Sequence, residues 1–465
     1  MKIIAFTYDL IGAPIFYHWM KEGNTVIVAQ IKDVESLKNG DKPEDPEQKK
    51  ARLENYDGVF DKYDAKKVLK RMQSIKQKDD WFIFFDFNNL WRFADAVQKM
   101  GFKNGFFPTE EDHLFEKDRQ AAKEVVEKYY PGLKLVETTE YKTIEEAKAY
   151  IEVNPDKMFV AKGNSDDADT FCTDSEIPAL GGMELINALE KGKKDYESMG
   201  FILEEKINNP IELTPQIVFY DGKPVFTDMD IENKPIGSGS ISIQTGCASC
   251  LVKKTEFKDE INKIAFPKYV FDMAKKRKGM FVWDASILID PKTGEKYFGE
   301  FCSNRLGWDS VFAEIAMSGG ATMWIQNIMN GQNPLQKEFG ATVRGFVMAK
   351  KGKGLSYEMP MSEMEWMEKE DKKLFVYEMK FEEKDELKAF NMGVSTDLMV
   401  SASAADNLPQ AVNSCYKGIK GFSFKGLYYR PKFDFISEEY PTSIPNRLKY
   451  YNETFAKNNN PNDQA

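Results

Sequence analysis

The chain has 465 residues, of which 42% are apolar and 30% charged, and its formal net charge is −10. That length suggests about three domains with enough apolar material to build a large core, and the composition is ordinary for a soluble globular protein. An acidic chain repels a nucleic-acid backbone, so a phosphate-tracking surface is not expected, although a local basic pocket for a nucleotide remains open.

The five cysteines, Cys172, Cys247, Cys250, Cys302 and Cys415, are odd in number and scattered, which argues against a disulfide framework and for a reducing compartment. Cys247 and Cys250 form one CxxC, but a structural zinc needs about four ligands and the two histidines, His18 and His113, lie far off in sequence. No secretory pattern opens the chain and no apolar run reaches the ~18 residues of a membrane span. The expected compartment is the cytoplasm, and neither a membrane nor a nucleic-acid backbone is an expected partner.

Residues 2–7 predict a buried strand, 14–21 a helix and 25–30 a second strand, the opening of an α/β unit with parallel strands. Residues 33–80 are polar and read as a solvated helical region. A strand follows at 81–87, a helix at 88–101 ending on Gly101, and a short strand at 105–107, closing a unit over 1–107. Residues 111–130 read as a helix. A strand and helix then run through KLVETTEYKTIEEAKAYIE, and strands are predicted at 157–163 and 201–207. PQIVFYDGKPVFTDMDIE (215–232) predicts a hairpin turning at Asp221-Gly222, and 281–304 a second hairpin across PKTGE. The pattern resets near 336 into a smaller mixed region, and NNNPNDQA reads as a disordered tail. The expected units are 1–107, 108–335 with a lid at about 130–205, 336–440, and an extension over 441–465.

Three constellations carry chemistry. The 281–304 hairpin sets Asp284 and Glu300 on neighbouring strands, where side chains on one face approach to ~5 Å. Two carboxylates that close repel unless a cation such as Mg²⁺ bridges them. A strand-end Asp and an exposed Glu is the equally weighted alternative. Arg119 at a helix start and Lys162 at a strand end suit a triphosphate, though each alone reads as a surface salt bridge. FILEEKI, with Glu204, Glu205, Lys206 and Ile207, is an apolar strand ending in two acids.

Taken in order, a cationic helix, a strand ending in Lys, an apolar strand with two acids, then a hairpin carrying Asp and Glu followed by Asn-Arg, these pieces resemble an ATP-grasp fold. Over roughly 1–435 the chain resembles the phosphoribosylamine–glycine ligase family. EKDR (116–119) matches its cationic helix start, Lys162 its strand lysine and Glu205-Lys206-Ile207 its adenine hinge. Glu212 matches its ribose glutamate, and Glu232-Asn233-Lys234 with Thr245-Gly246-Cys247 its substrate segments. Glu300, Asn304, Arg305 and Asp309 match its metal-and-phosphate signature, and 397–430, ending in YYR, its closing segment.

The resemblance implies an α/β (α+β) ATP-grasp protein with an N-terminal parallel sheet and a small C-terminal mixed domain. It further implies ATP with Mg²⁺ or Mn²⁺, an amino acid and an amine as substrates, and a monomer or homodimer. ATP would contact Arg119, Lys162, Glu204, Glu205, Lys206, Ile207 and Glu212. Lys162 and Arg305 would be catalytic, Lys234, Thr245, Gly246 and Asp309 would meet substrate, and Asp284, Glu300 and Asn304 would hold the metal. Three stretches depart from the family. FTYDLIGAP stands where it has a glycine-rich phosphate loop. GNSDDADTFC, with Asp166, Asp167 and Asp169, stands at its glycine-rich lid loop. Cys302 stands where it has Asn, and a thiol suits Mg²⁺ poorly. The expected chemistry is ATP-driven joining of a carboxylate to an amine. A ligase for a different amine, a non-catalytic nucleotide-binding protein on the same fold, and an unrelated α/β enzyme remain the alternatives.

Overall fold

A computed structural model describes residues 1–32, 45–163, 170–173, 177–238, 244–347, 358–360, 372–382, 386–390, 396–422 and 426–456. The chain opens with β1 (Lys2–Thr7), α1 (Ala13–Lys21), β2 (Thr25–Gln30), α2 (Pro46–Glu54), β3 (Asp61–Asp64), α3 (Ala65–Met72), β4 (Trp81–Phe85), α4 (Trp91–Lys99) and β5 (Gly105–Phe106). The strands pair in parallel in the order β5-β4-β1-β2-β3. Strands buried on both faces need continuous apolar runs, which KIIAFT and WFIFF supply. The helical reading of 33–80 holds for α2 and α3, but it missed β3. That strand, DKYD, is charged and alternately exposed because it is the sheet's edge, where charge discourages further pairing. Residues 33–44 lie outside the described residues.

The predicted single helix over 111–130 is two helices, α5 (Glu110–Lys117) and α6 (Arg119–Tyr129). Asp118 breaks them apart: its carboxylate accepts from the N–H groups of Gln120 and Ala121 and so starts a new helix. This puts Arg119 at the first position of α6. Then come β6 (Thr138–Tyr141), α7 (Ile144–Val153), β7 (Phe159–Gly163), β8 (Thr170–Cys172), α8 (Pro178–Lys191), α9 (Lys193–Met199) and β9 (Phe201–Glu205). They form an antiparallel sheet in the order β6-β9-β7-β8. Tyr141, Phe159, Ala161, Phe201 and Leu203 face α7 and α8 in a small core. Strand alternation therefore turns Thr138, Lys162 and Glu204 to the other face.

The centre is antiparallel: β10 (Ile211–Tyr220), β11 (Lys223–Pro235), β12 (Gln244–Thr255), then α10 (Glu260–Ala265), α11 (Lys268–Ala274), β13 (Met280–Ile289), β14 (Lys296–Ser303), α12 (Trp308–Ser318), α13 (Ala321–Met329) and β15 (Phe339–Val347). Asp221 and Gly222, with φ 47° and 76°, turn the β10–β11 hairpin as the sequence predicts. β16 (Glu358–Pro360), β17 (Lys372–Val376), β18 (Met379–Glu382), β19 (Glu386–Phe390), β20 (Asp397–Ala405) and β21 (Leu427–Tyr428) follow. β17 and β20 extend the central sheet through β15 and β12, while β16, β18 and β19 form a separate small sheet. β13 also meets β5, joining the N-terminal strands to the centre in one fourteen-stranded sheet. Gly279 (φ 75°) allows that join, since a Cβ there would overlap the Gly105 carbonyl. The predicted disordered tail, 458–465, lies outside the described residues. No described helix is long and apolar enough to cross a membrane.

Candidate active site

One face of the central sheet is apolar: Ile217, Met229, Leu251, Trp283 and Ala285 pack under α10 and α11. The other face is acidic. Register sets Asp228, Gln216, Asp284 and Cys302 side by side across β11, β10, β13 and β14. Two residues along each strand come Asp230 and Ser286, and beyond these Glu232 and Glu212. α12 and α13 cover part of this face. Ser310 donates to Asp230, while Glu314 accepts from Gln216 Nε2 at 2.7 Å and from Trp324 Nε1 at 2.8 Å.

At the open end of this face Lys234 lies between Glu212 (3.4 Å) and Glu300 (3.8 Å), and the Ser286 hydroxyl donates to Glu212 at 2.9 Å. Burial alone would raise Glu212, but Lys234, Arg447 and Ser286 hold it below the usual carboxylate range. Asp284 behaves oppositely. It is 5% exposed, and burial, with Asp230 and Glu300 adding repulsion, pushes it well above that range. One of its oxygens accepts from the Cys302 N–H at 3.1 Å. Burial likewise lifts Asp230 and Glu232 to about 8 and Glu314 to about 7.

The small sheet faces a second cluster. Glu204 is clamped between Lys162 at 2.5 Å and Lys123 at 3.0 Å, and Lys123 also donates to the Thr138 hydroxyl at 2.5 Å. Burial would raise Glu204, but the two lysines prevail and lower it. Against this face lies a cavity of about 730 Å³ lined by Arg119, Lys123, His113, Trp91, Thr138 and Glu140 among others. The α5–α6 junction connects the clusters: Glu116 pairs with Arg305 at 2.7 Å, and Cys302 lies within the fields of Asp284, Glu116, Glu300 and Arg305.

The sequence candidates thus fall into groups. Lys162, Glu204 and Arg119 share the small-sheet side; Glu212, Lys234, Glu300 and Asp284 share the central face; Arg305 stands beside them with its guanidinium 4.6 Å above the Phe87 ring. At the end of β9, Glu205 pairs with Lys157 at 3.0 Å, and the Lys206 N–H is spent on the Met158 carbonyl at 2.7 Å. Ile207 follows directly. Thr245 donates to the Lys234 carbonyl at 2.6 Å, fastening β12 to β11, and Gly246 beside it is exposed.

Two candidates are committed elsewhere. Asn304, expected among the metal ligands, sits at φ 49°. Its amide accepts from the Val282 N–H at 3.3 Å and donates to the Phe107 carbonyl at 2.7 Å, so it closes the loop after β14. Asp309, expected at the substrate, is 3% exposed and ion-paired with Arg344, which also holds Asp397 at 2.6 Å. Asp166, Asp167 and Asp169 lie outside the described residues. Among those described, no three His, Cys, Asp or Glu side chains are arranged to hold a metal together.

Sequence reasoning missed Lys123, which reads as a surface residue one turn past Arg119. It also missed Asp228 and Asp230, which lead along β11 to Glu232. The signal there was an alternation of acids with apolar Met229 and Ile231, the mark of a strand with one acidic and one apolar face.

No family model and no curated protein sequence matches the chain. Solved structures do. Phosphoribosylamine–glycine ligase from Thermotoga maritima is 16% identical, with a TM-score of 0.60 over 92% of this chain and 99% of that one. The biotin carboxylase domain of Hydrogenobacter thermophilus 2-oxoglutarate carboxylase, solved with MgADP, ADP and bicarbonate, is 14% identical, with a TM-score of 0.56 over 92% and 91%. Biotin carboxylase from Campylobacter jejuni, solved with a β,γ-ATP ligand, is 12% identical, with a TM-score of 0.56 over 98% and 96%. At these identities the likeness is one of fold, and the fold is the ATP-grasp fold.

Proposed function

We propose that the protein is an ATP-dependent ligase that joins a carboxylate to an amine through an acyl phosphate. The observation that carries this reading is the pair of lysines, Lys123 and Lys162, held on one buried glutamate, with Lys123 also lining the cavity of about 730 Å³. Their positive charge is fixed in place before any ligand arrives, which is how a site stabilises charge without reorganising.

In this reading the triphosphate lies between the small sheet, acting as a lid, and the central face. Arg119 and Lys162 meet the phosphates, Glu204 aligns the lysines, Glu205, Lys206 and Ile207 border the adenine, and Glu212 faces the ribose. Asp284 and Glu300 fit a magnesium or manganese ion, because such an ion takes one or two carboxylates and completes its shell with water and phosphate oxygens. Burial, with repulsion from Asp230 and Glu300, raises Asp284, and a bound cation would relieve that. Asn304 and Cys302 do not fit, the first because its amide is spent and the second because burial keeps its thiol protonated. When bound, the ion would neutralise charge on the phosphates. Arg305 supports the γ-phosphoryl group as it passes to the substrate carboxylate, and Lys234, Thr245 and Gly246 border that substrate. The amine then attacks the acyl carbon and phosphate leaves, with no protein nucleophile required.

Glycine with phosphoribosylamine is one substrate pair to test, and a different amino acid with a different amine is the other. The test is ADP release from Mg-ATP across a panel of amino acids and amines, with Lys162→Met as control. Amine-dependent ADP release that Lys162→Met abolishes is the expected result. Absence of Mg-ATP binding by the parent protein would overturn the reading.

A further inference from the structure

The N-terminal strands carry a second feature, at the carboxyl ends of β1 and β4. In the order β5-β4-β1-β2-β3, the chain runs outward from β1 through β2 to β3, and in the opposite direction from β4 to β5. The crevice between β1 and β4 is therefore the switch point of an open parallel sheet, and ligands of such sheets bind outside the carboxyl ends of the strands there. Asp9 follows β1 by two residues and Asp86 follows β4 directly, so this crevice begins with a carboxylate from each side.

Asp86 is 2% exposed. One oxygen accepts the Gly12 N–H at 3.1 Å, and the other, Oδ1, has no hydrogen-bond partner. Leaving a buried carboxylate oxygen unpaired is costly. Burial, with Asp9's charge added, outweighs the Thr7 hydroxyl and the Gly12 N–H and pushes Asp86 well above the ordinary carboxyl range, an imbalance that a bound cation would relieve. Arg52 and Arg305 lie near enough to Asp9 to offset part of its charge, but their donors are turned elsewhere. Arg52 donates to the carbonyls of Tyr8 (3.1 Å), Ile31 (3.2 Å) and Lys32 (3.5 Å), and Arg305 is paired with Glu116. The Gly12 N–H, a donor of the kind that meets anions, is spent on Asp86. A Cβ at Gly12 would lie 2.8 Å from that of Asp86, so the loop keeps a glycine in order to seat the carboxylate.

We infer that this crevice binds the amine substrate, and that the substrate is a cationic, unphosphorylated amine whose ammonium or guanidinium group donates to Asp86 Oδ1 and is held also by Asp9. The inference rests on the ligase reading for calling the ligand a substrate. A phosphate placed here would meet two carboxylates and find the Gly12 N–H already spent, whereas an ammonium supplies the donor that Asp86 Oδ1 lacks.

The test is calorimetric titration of the full chain without nucleotide, using 1,4-diaminobutane, inorganic phosphate and ribose 5-phosphate as probes. Saturable binding of the diamine, none of the phosphates, and at least tenfold weaker diamine binding in Asp9→Asn and Asp86→Asn are expected. Asp9 is exposed, so Asp9→Asn keeps the fold, and the amide introduced by Asp86→Asn retains an acceptor for the Gly12 N–H. Binding of a phosphate probe in place of the diamine, diamine binding undiminished in both variants, or no binding of any probe would overturn the inference. Mg-ATP titration run in parallel separates the two readings. Intact Mg-ATP binding without diamine binding sinks only this inference, and the reverse pattern supports the cationic-amine site while removing the ligase reading and with it the name substrate.

Discussion

Replacing Asp228 by Asn should stabilise this protein, and only at neutral to alkaline pH. Asp228 is fully buried and accepts from Gln216 Nε2 at 3.2 Å. The same nitrogen serves Glu314, whose other oxygen accepts from Trp324. Burial, then Glu314 and Asp230, push Asp228 well above the ordinary carboxyl range. In the unfolded chain the group releases its proton near pH 4, while in the fold it retains it. Between those limits the unfolded state binds fewer protons, so stability falls as pH rises, by about 1.4 kcal/mol per pH unit for each such group. From pH 5 to pH 8 one group has a ceiling of about 4 kcal/mol. Asp230 and Glu314 remain in the variant and share part of this repulsion, so about 2 kcal/mol is the expected gain at pH 8. At pH 5 the native group is already a neutral acid of the amide's shape, and the variant should match the parent. Urea denaturation of metal-free protein at the two pH values measures this. A variant destabilised equally at both, or a parent whose stability does not fall over the interval, would refute the reasoning.

Three further outcomes are expected. Lys162→Met should weaken Mg-ATP binding by roughly ten- to a hundredfold, since about 1–3 kcal/mol rides on one charge-assisted contact, while Lys123 keeps Glu204 paired; calorimetry reads it. Glu204 is depressed by its lysines, so its stabilisation is present above the unfolded value and lost as pH falls through the folded one; Glu204→Gln should flatten the acid limb of stability below about pH 4.5 in urea denaturation. Asn304→Ala should cost about 2–3 kcal/mol of stability by the same measurement, because it removes two buried hydrogen bonds from a left-handed position.

Much of the site was legible because its signals are local. The 281–304 hairpin brought Asp284 and Glu300 to one face, and DG set the β10–β11 turn. Lys162 and Glu204 occupy separate strands whose pairing no local pattern announces, yet the β7–β9 register brings them together. The break at Asp118 is readable as an N-cap before Arg119, but the continuous helical spacing of 111–130 masks it. The roles of Asn304 and Asp309 were not legible. Asn304 bonds Phe107 and Val282, 197 and 22 residues away, and Asp309 pairs with Arg344, 35 residues away. Resemblance to a family signature named Asn304 for the metal and Asp309 for the substrate; in the fold each makes a buried structural contact.

The account stands on where a triphosphate binds. A crystal structure with Mg²⁺ and a non-hydrolysable ATP analogue measures this directly. The expected density has the phosphates between Arg119 and Lys162 on one side and Glu300 on the other. Nucleotide bound elsewhere, or a crystal soaked at millimolar analogue with no nucleotide in the cavity, would contradict it.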